Sequence, residues 1–282
     1  MLLCNNQLHP ESTFALPLPN RGLQFNDGFF ETLVWADGGL RYGPQHLARM
    51  QRAAAALDLP LPAALATLEA LTATLARLVG AQPQPAAPQR LRLQLWRPGG
   101  GLYAPPEATG QAITAEWLVT ARPFEERTAP VALAGFGTTV RTQLSPVSFC
   151  KGPNALLYVL AAREREQRGL DELLLLSGAG HVAEAGAAAV GWVRKDAVYV
   201  PAETAGGVSS VRLAHLRAVA TQLGVVWHEG LYEPDALLAA EAVFTASVAG
   251  LRPVQQVEGR RFDSAQHPLL LRLLAADLAT RS

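Results

Sequence analysis

Only Lys151 and Lys195 are lysines in this chain; the other long basic side chains are arginines. An amine can shed its proton and attack a carbonyl, which a guanidinium cannot, so covalent chemistry is sought first at a lysine. Lys195 lies in Arg194-Lys195-Asp196, between charged neighbours, and reads as a solvated turn residue. Lys151 follows Phe149-Cys150 and stands just ahead of a predicted helix. Apolar surroundings disfavour an ammonium and leave a nucleophilic amine, suited to an imine with an aldehyde cofactor. The plain alternative is an ordinary loop lysine.

Other residues suit the remainder of such a site. Gly206-Gly207-Val208-Ser209-Ser210 precedes a predicted helix, where free N–H groups, hydroxyls and the positive helix end suit a phosphate. A glycine turn with a serine cap would look the same. Arg49, in His46-Leu47-Ala48-Arg49-Met50, is either a fork of donors for a phosphate or a solvated helix arginine. Glu184 lies among Val182, Ala183, Ala185 and Gly186, so its carboxylate requires a partner, either a cationic ring nitrogen or an arginine. Thr245-Ala246-Ser247 ends a predicted strand with hydroxyls. The chain has no Gly-x-Ser-x-Gly elbow or phosphate loop ending in Gly-Lys-Ser/Thr, and its histidines lack metal-ligand spacing.

The elements that must position these groups alternate between strand and helix. Phe29 to Ala36 reads as a strand closed by a hairpin turn at Asp37-Gly38-Gly39. Helical periods run from Pro44 to Leu57 and from Ala63 to Val79, and Leu91, Leu93 and Leu95 alternate as in a strand. Residues 122–128 form the expected linker between a smaller α+β domain, 1–121, and a larger domain, 129–282. In the latter, strands near Val131 to Val140, a helix from Asn154 to Arg168 and a hairpin around Lys195 precede helices at Ser210 to Leu223 and Ser264 to Thr280. Strands and helices mix without a clean βαβ rhythm, which indicates a two-domain mixed α/β (α+β) fold.

Composition narrows the classes. Hydrophobic residues make up 49% and charged residues 17%, enough for a large core and consistent with a covered subunit face. A formal net charge of +0 gives no argument for nucleic acid or an anionic membrane. The two cysteines form neither a disulfide framework nor a metal cluster, and no apolar run suggests a signal peptide or membrane span. A soluble cytoplasmic protein without a metal is expected.

In order, these elements resemble the class IV aminotransferases, the fold-type IV pyridoxal-phosphate enzymes, from about Asn20 to Val257. Arg21-Gly22, then Asn26-Asp27-Gly28-Phe29-Phe30-Glu31-Thr32, is similar to the family's opening motif; His46 to Met50 is similar to its helix bearing the phosphate arginine. Lys151 with Asn154, Glu184, Gly207-Val208-Ser209 and Ser247-Val248 ahead of Arg252-Pro253-Val254 complete the resemblance.

The resemblance implies a D-amino-acid-aminotransferase-like fold and a Schiff base between Lys151 and pyridoxal 5'-phosphate. It implies Glu184 at the pyridine nitrogen and Arg49, Gly207, Val208, Ser209, Ser247 and Val248 around the phosphate. It also implies a substrate pocket near Phe30, Arg97 and Tyr103, and a homodimer. Leu156 stands where branched-chain aminotransferases carry a tyrosine, so Lys151-x-x-Asn154 is more similar to D-amino-acid transaminases and aminodeoxychorismate lyase. The implied reaction is transamination of an amino acid, or the lyase reaction giving pyruvate and 4-aminobenzoate. Ala189 replaces the family's usual asparagine and the second arginine after Arg97 is absent, so a cofactor-binding homologue with little catalysis is a further reading.

Overall fold

The alternating residues of 89–96 place Leu91, Leu93 and Leu95 on one face of a strand and Arg90, Arg92 and Gln94 on the other. In the computed structural model, which describes residues 1–105 and 115–281, that strand lies within a six-stranded antiparallel sheet. Its strands are β1 (Leu2–Cys4), β2 (Gln7–His9), β3 (Gly28–Ala36), β4 (Gly39–Leu40), β5 (Gln89–Trp96) and β6 (Glu116–Pro123), in the order β2-β1-β6-β5-β3-β4. Asp37 and Gly38 both take positive φ, 56° and 79°, and turn β3 into β4 as the Asp-Gly pair foretells. Helix α1 (Arg21–Phe25) precedes β3; α2 (Gly43–Ala56) and α3 (Leu68–Gly80) lie between β4 and β5. Leu71, Leu75 and Leu78 of α3 and the apolar face of β5 are buried.

The chain divides into two units between Glu125 and Glu126, and residues 150–153 belong with the first. Strand β6 continues through Pro123, because its register with β5 runs on to the pair Gln89–Pro123.

The second unit contains β7 (Ala134–Thr142), α4 (Ala155–Gln167), β8 (Glu172–Ser177), β9 (Val182–Ala185), β10 (Ala189–Arg194) and β11 (Ala197–Pro201). There follow α5 (Val211–Gln222), β12 (Val226–Gly230), α6 (Pro234–Leu238), β13 (Ala242–Ser247), β14 (Gly250–Val254), β15 (Gln256–Val257), β16 (Arg260–Arg261) and α7 (Pro268–Thr280). Two mixed five-stranded sheets result, ordered β12-β11-β10-β13-β14 and β16-β15-β7-β8-β9. Trp192, Val190 and Val243 join Leu174 and Val182 in one core, while Leu216, Val219 and Leu270 join Phe244 in another.

Two predicted helices are shorter than their apolar periods. Thr67 caps α3 by accepting the Ala70 N–H, so residues 63–65 form only a 3-10 turn before it. Pro268 starts α7, and Ser264, whose hydroxyl accepts the Val243 N–H and donates to the Val254 carbonyl, belongs to a separate turn. Ser282, the last residue of the expected second domain, lies outside the described residues. No helix among the described residues is long and apolar enough to cross a membrane.

Candidate active site

Lys151 is half-buried, and its main chain is fixed to the start of β3. The Phe30 N–H donates to the Lys151 carbonyl at 2.8 Å, and the Asn26 side-chain amide donates to the Gly152 carbonyl. Gly152 takes φ +132°, and a Cβ there would lie 3.0 Å from the Cα of Phe29 and 3.2 Å from the carbonyl oxygen of Gly28. Only glycine lets the lysine segment approach the strand this closely. The Asn26-Asp27-Gly28 turn therefore does more than begin a strand, since it seats the lysine's backbone.

A buried charge cluster lies in the same unit. The Glu31 carboxylate, 1% exposed, accepts from Arg49 Nε at 2.7 Å and Nη2 at 2.5 Å, and contacts His46 Nδ1 at 2.7 Å. Burial pushes the Glu31 carboxyl up, but the Arg49 charge and the bonds from His46 and Arg49 outweigh it and hold the group at about 2. His46 is kept below its ordinary value chiefly by burial, with the Arg49 and Lys151 cations adding to the effect. The candidate nucleophile is thus within electrostatic reach of this cluster. Burial raises the adjacent Cys150 thiol to about 11, so it stays protonated at neutral pH. Arg49 is not the solvated arginine of the alternative reading; it shares the buried face of α2 with His46, Met50 and Ala53.

In the second unit Glu184 is 6% exposed on β9. A side-chain hydroxyl and a backbone N–H both reach its carboxylate. The Tyr158 hydroxyl donates to Oε1 at 2.7 Å, and the Val208 N–H donates to Oε2 at 3.2 Å. Glu184, Ala189, Gly207, Val208 and Ser209 line one cavity of about 260 Å³. A Cβ on Gly207 would lie 3.3 Å from Glu184 Cδ, so a side chain there would crowd the carboxylate. The Ser209 N–H is used by the Phe149 carbonyl at 2.9 Å, and Ser210 caps α5 by accepting the Leu213 N–H at 3.2 Å.

The second hydroxyl turn is also in this unit. Ser247 Oγ accepts the Ala249 N–H, and the Ser247 carbonyl accepts from Arg212 Nη1 at 3.1 Å. Arg212 also forms a fully buried ion pair with Asp277 at 2.5 Å, which links α5 to α7. The turn at Ser247-Val248 is thereby tied to the first turn of α5.

The pocket residues expected from the first unit differ in their surroundings. Arg97 is buried, with Nε on Asp27 at 3.1 Å, Nη1 on the Asp58 carbonyl at 3.1 Å and Nη2 on the Leu57 carbonyl at 2.5 Å. It braces the Asp27 turn. Tyr103 is 89% exposed, its ring 5.5 Å from that of Phe25. Phe30 is half-buried and carries the Arg92 guanidinium 3.8 Å from its ring centroid. Burial, aided by Arg90, lowers the Arg92 value. Arg92 and Tyr158 escaped sequence reasoning. Strand alternation puts Arg92 and Phe30 on one sheet face, and spacings of three and four put Tyr158 on the helix face of Asn154.

Comparison with known proteins gives the wider setting of these groups. Residues 28–257 match the amino-transferase class IV family, spanning every candidate residue from Phe30 to Val248. The chain belongs to the class IV aminotransferases. These are enzymes that depend on pyridoxal phosphate. An aminodeoxychorismate lyase of Vibrio harveyi is 24% identical over 253 residues, covering 86% of this chain and 87% of the lyase. The branched-chain amino acid aminotransferase from Escherichia coli is 17% identical, with TM-score 0.85 over 100% of this chain and 94% of its own. The branched-chain aminotransferase from Thermoproteus uzoniensis, solved with norvaline, is 20% identical with TM-score 0.83, covering 97% of this chain and 92% of its own. Among class IV aminotransferases, then, this chain is similar to members of both reaction types.

Proposed function

We propose that this class IV enzyme transfers the amino group of an amino acid, with Lys151 as the Schiff-base lysine and residues 129–282 as the main cofactor-binding domain. The observation that carries the reading is the buried Glu184 carboxylate, held by Tyr158 and Val208 and facing a cavity shared with Gly207 and Ser209. A buried carboxylate beside a cavity suits the protonated nitrogen of a pyridine ring. Gly207 has no side chain to crowd the carboxylate on its cavity side.

Pyridoxal phosphate, when bound, supplies an electron-accepting ring for the bonds at the substrate Cα. Lys151 would hold the aldehyde and then move the Cα proton as base and acid. The Val208 and Ser209 N–H groups already have acceptors. Phosphate binding therefore draws on the Ser209 and Ser247 hydroxyls, the first-turn N–H groups of α5 ahead of the capped Leu213, and Arg49. On the substrate side, Phe30 and Arg92 form a stacked pair able to receive a carboxylate, Arg97 holds the Asp27 turn, and the exposed Tyr103 is a further candidate contact.

A homodimer is part of this proposal. The outer face of α4 exposes Leu156, Val159 and Leu160 together, an apolar stripe suited to a second subunit. A soluble, cytoplasmic enzyme needing no metal, nucleic acid or membrane completes it.

The lyase reading is favoured by the Vibrio harveyi relative. Incubation with aminodeoxychorismate separates the two: 4-aminobenzoate and pyruvate mark the lyase. Conversion of added pyridoxal phosphate to its amine form by an amino acid marks the transaminase. Absence of a visible cofactor band in the wild type, or its persistence in Lys151→Ala, would sink the assignment.

A further inference from the structure

The pairing of Glu184 with a tyrosine is not explained by cofactor binding itself. Tyr158 stands on α4, its ring packed beside Leu157 against Ala161, Leu173 and Leu175. Leu175 of β8 is the register partner of Glu184 on β9, so the strand pair brings the carboxylate under the phenol. The hydroxyl reaches Oε1 at 2.7 Å while the Val208 N–H reaches Oε2 at 3.2 Å. Both donors favour an ionised carboxylate, and the backbone N–H has no means of accepting a proton in return. Burial, and next the Glu184 charge, raise the phenol far above its ordinary value. Tyr158 therefore remains a donor across the physiological range. Lys151, Asn154 and Tyr158 follow one another at spacings of three and four, so the stretch of chain that carries the lysine also carries this donor.

We propose that Tyr158 is a positioning residue for Glu184: its hydroxyl fixes one carboxylate oxygen, stabilises the ionised form and leaves the group aimed at the cavity. The inference deepens the proposed function, resting on Glu184 as the ring-nitrogen partner. Tyr158 touches neither substrate nor cofactor in this scheme and acts through the carboxylate alone.

The test uses the full chain without added cofactor. Carbon-13-labelled glutamate, with Glu184→Gln to assign the signal, reports ionisation of Glu184 by NMR. Tyr158→Phe keeps the ring packing and removes the donor; the Glu184 titration is expected to move up by about one pH unit, the usual worth of a hydrogen bond to a charged group. Loss of packing alone would lower the melting temperature and leave the titration in place. If Tyr158→Phe does not fold, site-specific 3-fluorotyrosine at 158 preserves shape and strengthens the donor, and the titration is expected to fall. In the reciprocal measurement, Glu184→Gln should let the Tyr158 phenol ionise at lower pH, read by ultraviolet difference absorbance. An unmoved Glu184 titration in Tyr158→Phe, or in the fluorotyrosine protein, overturns the proposal. Equilibrium dialysis of wild type against pyridoxal phosphate tests the functional reading separately, because the titration needs no cofactor.

Discussion

Glu31→Gln removes the one carboxylate of the buried Glu31–His46–Arg49 cluster while preserving its shape. A carboxyl held at about 2 instead of 4.5 corresponds to roughly 3 kcal/mol favouring the folded, ionised state, at about 1.4 kcal/mol per pH unit. The substitution goes further than protonation does, because it leaves the Arg49 guanidinium buried without this counter-charge. Breaking a buried pair from one side costs about 3–5 kcal/mol. For a chain of this size that is a fall in melting temperature of roughly 6–20 °C. Thermal melts at neutral pH read the loss directly.

An acid series supplies the second arm. The folded-state value of Glu31 is depressed, so its contribution is complete above about pH 4.5 and disappears as pH falls towards about 2. Wild type should show that acid limb, and Glu31→Gln should have a shallower one. Glu31→Gln with Arg49→Met should recover much of the stability, since an apolar replacement for a buried pair is often near neutral. A Glu31→Gln protein that melts with the wild type and follows the same acid limb refutes the argument.

Gly152→Ala forces a side chain into positive φ and against the backbone of Phe29, so it should lower both stability, by about 1–3 kcal/mol, and cofactor retention, read by melting and by visible absorbance. Arg92→Met should raise KM for a carboxylate-bearing substrate more than it lowers kcat, with melting little changed; an unaltered KM argues against Arg92 as a substrate contact. Asp277→Asn should destabilise the second unit by about 3–5 kcal/mol and weaken pyridoxal phosphate binding, because Arg212 carries the Ser247 turn; equilibrium dialysis and melting measure the two effects.

Much of the scaffold is legible in the residues, because it depends on near neighbours. The Asp37-Gly38 turn, the serine cap at 210, the α2 period and the hairpin at Lys195-Asp196 arise from local preferences, and each lies where the pattern puts it. Helices α3 and α7 start later than their apolar periods because a threonine cap and a proline decide the ends, while periodicity reports only the buried face. The side-chain pairs are another matter. Arg49 finds Glu31 eighteen positions away, Arg97 finds Asp27 seventy away, and Glu184 takes a hydroxyl twenty-six back. Such pairs form through tertiary packing, and a buried charge announces only that some partner is needed. That is why Glu184 could be singled out while Tyr158 could not.

Segment 150–153 interrupts the second unit's stretch of chain yet hydrogen-bonds to Phe30 of β3 and to Asn26 in the turn before it. A simple cut at residue 125 would divide what the lysine needs: one fragment would keep the strand that accommodates it, and the other would keep the amine on a peptide robbed of its docking edge. Neither piece alone should reproduce the environment of Lys151. Any duplication, permutation or fusion of this fold has to carry both stretches together, so its modular appearance overstates how freely its halves can be exchanged.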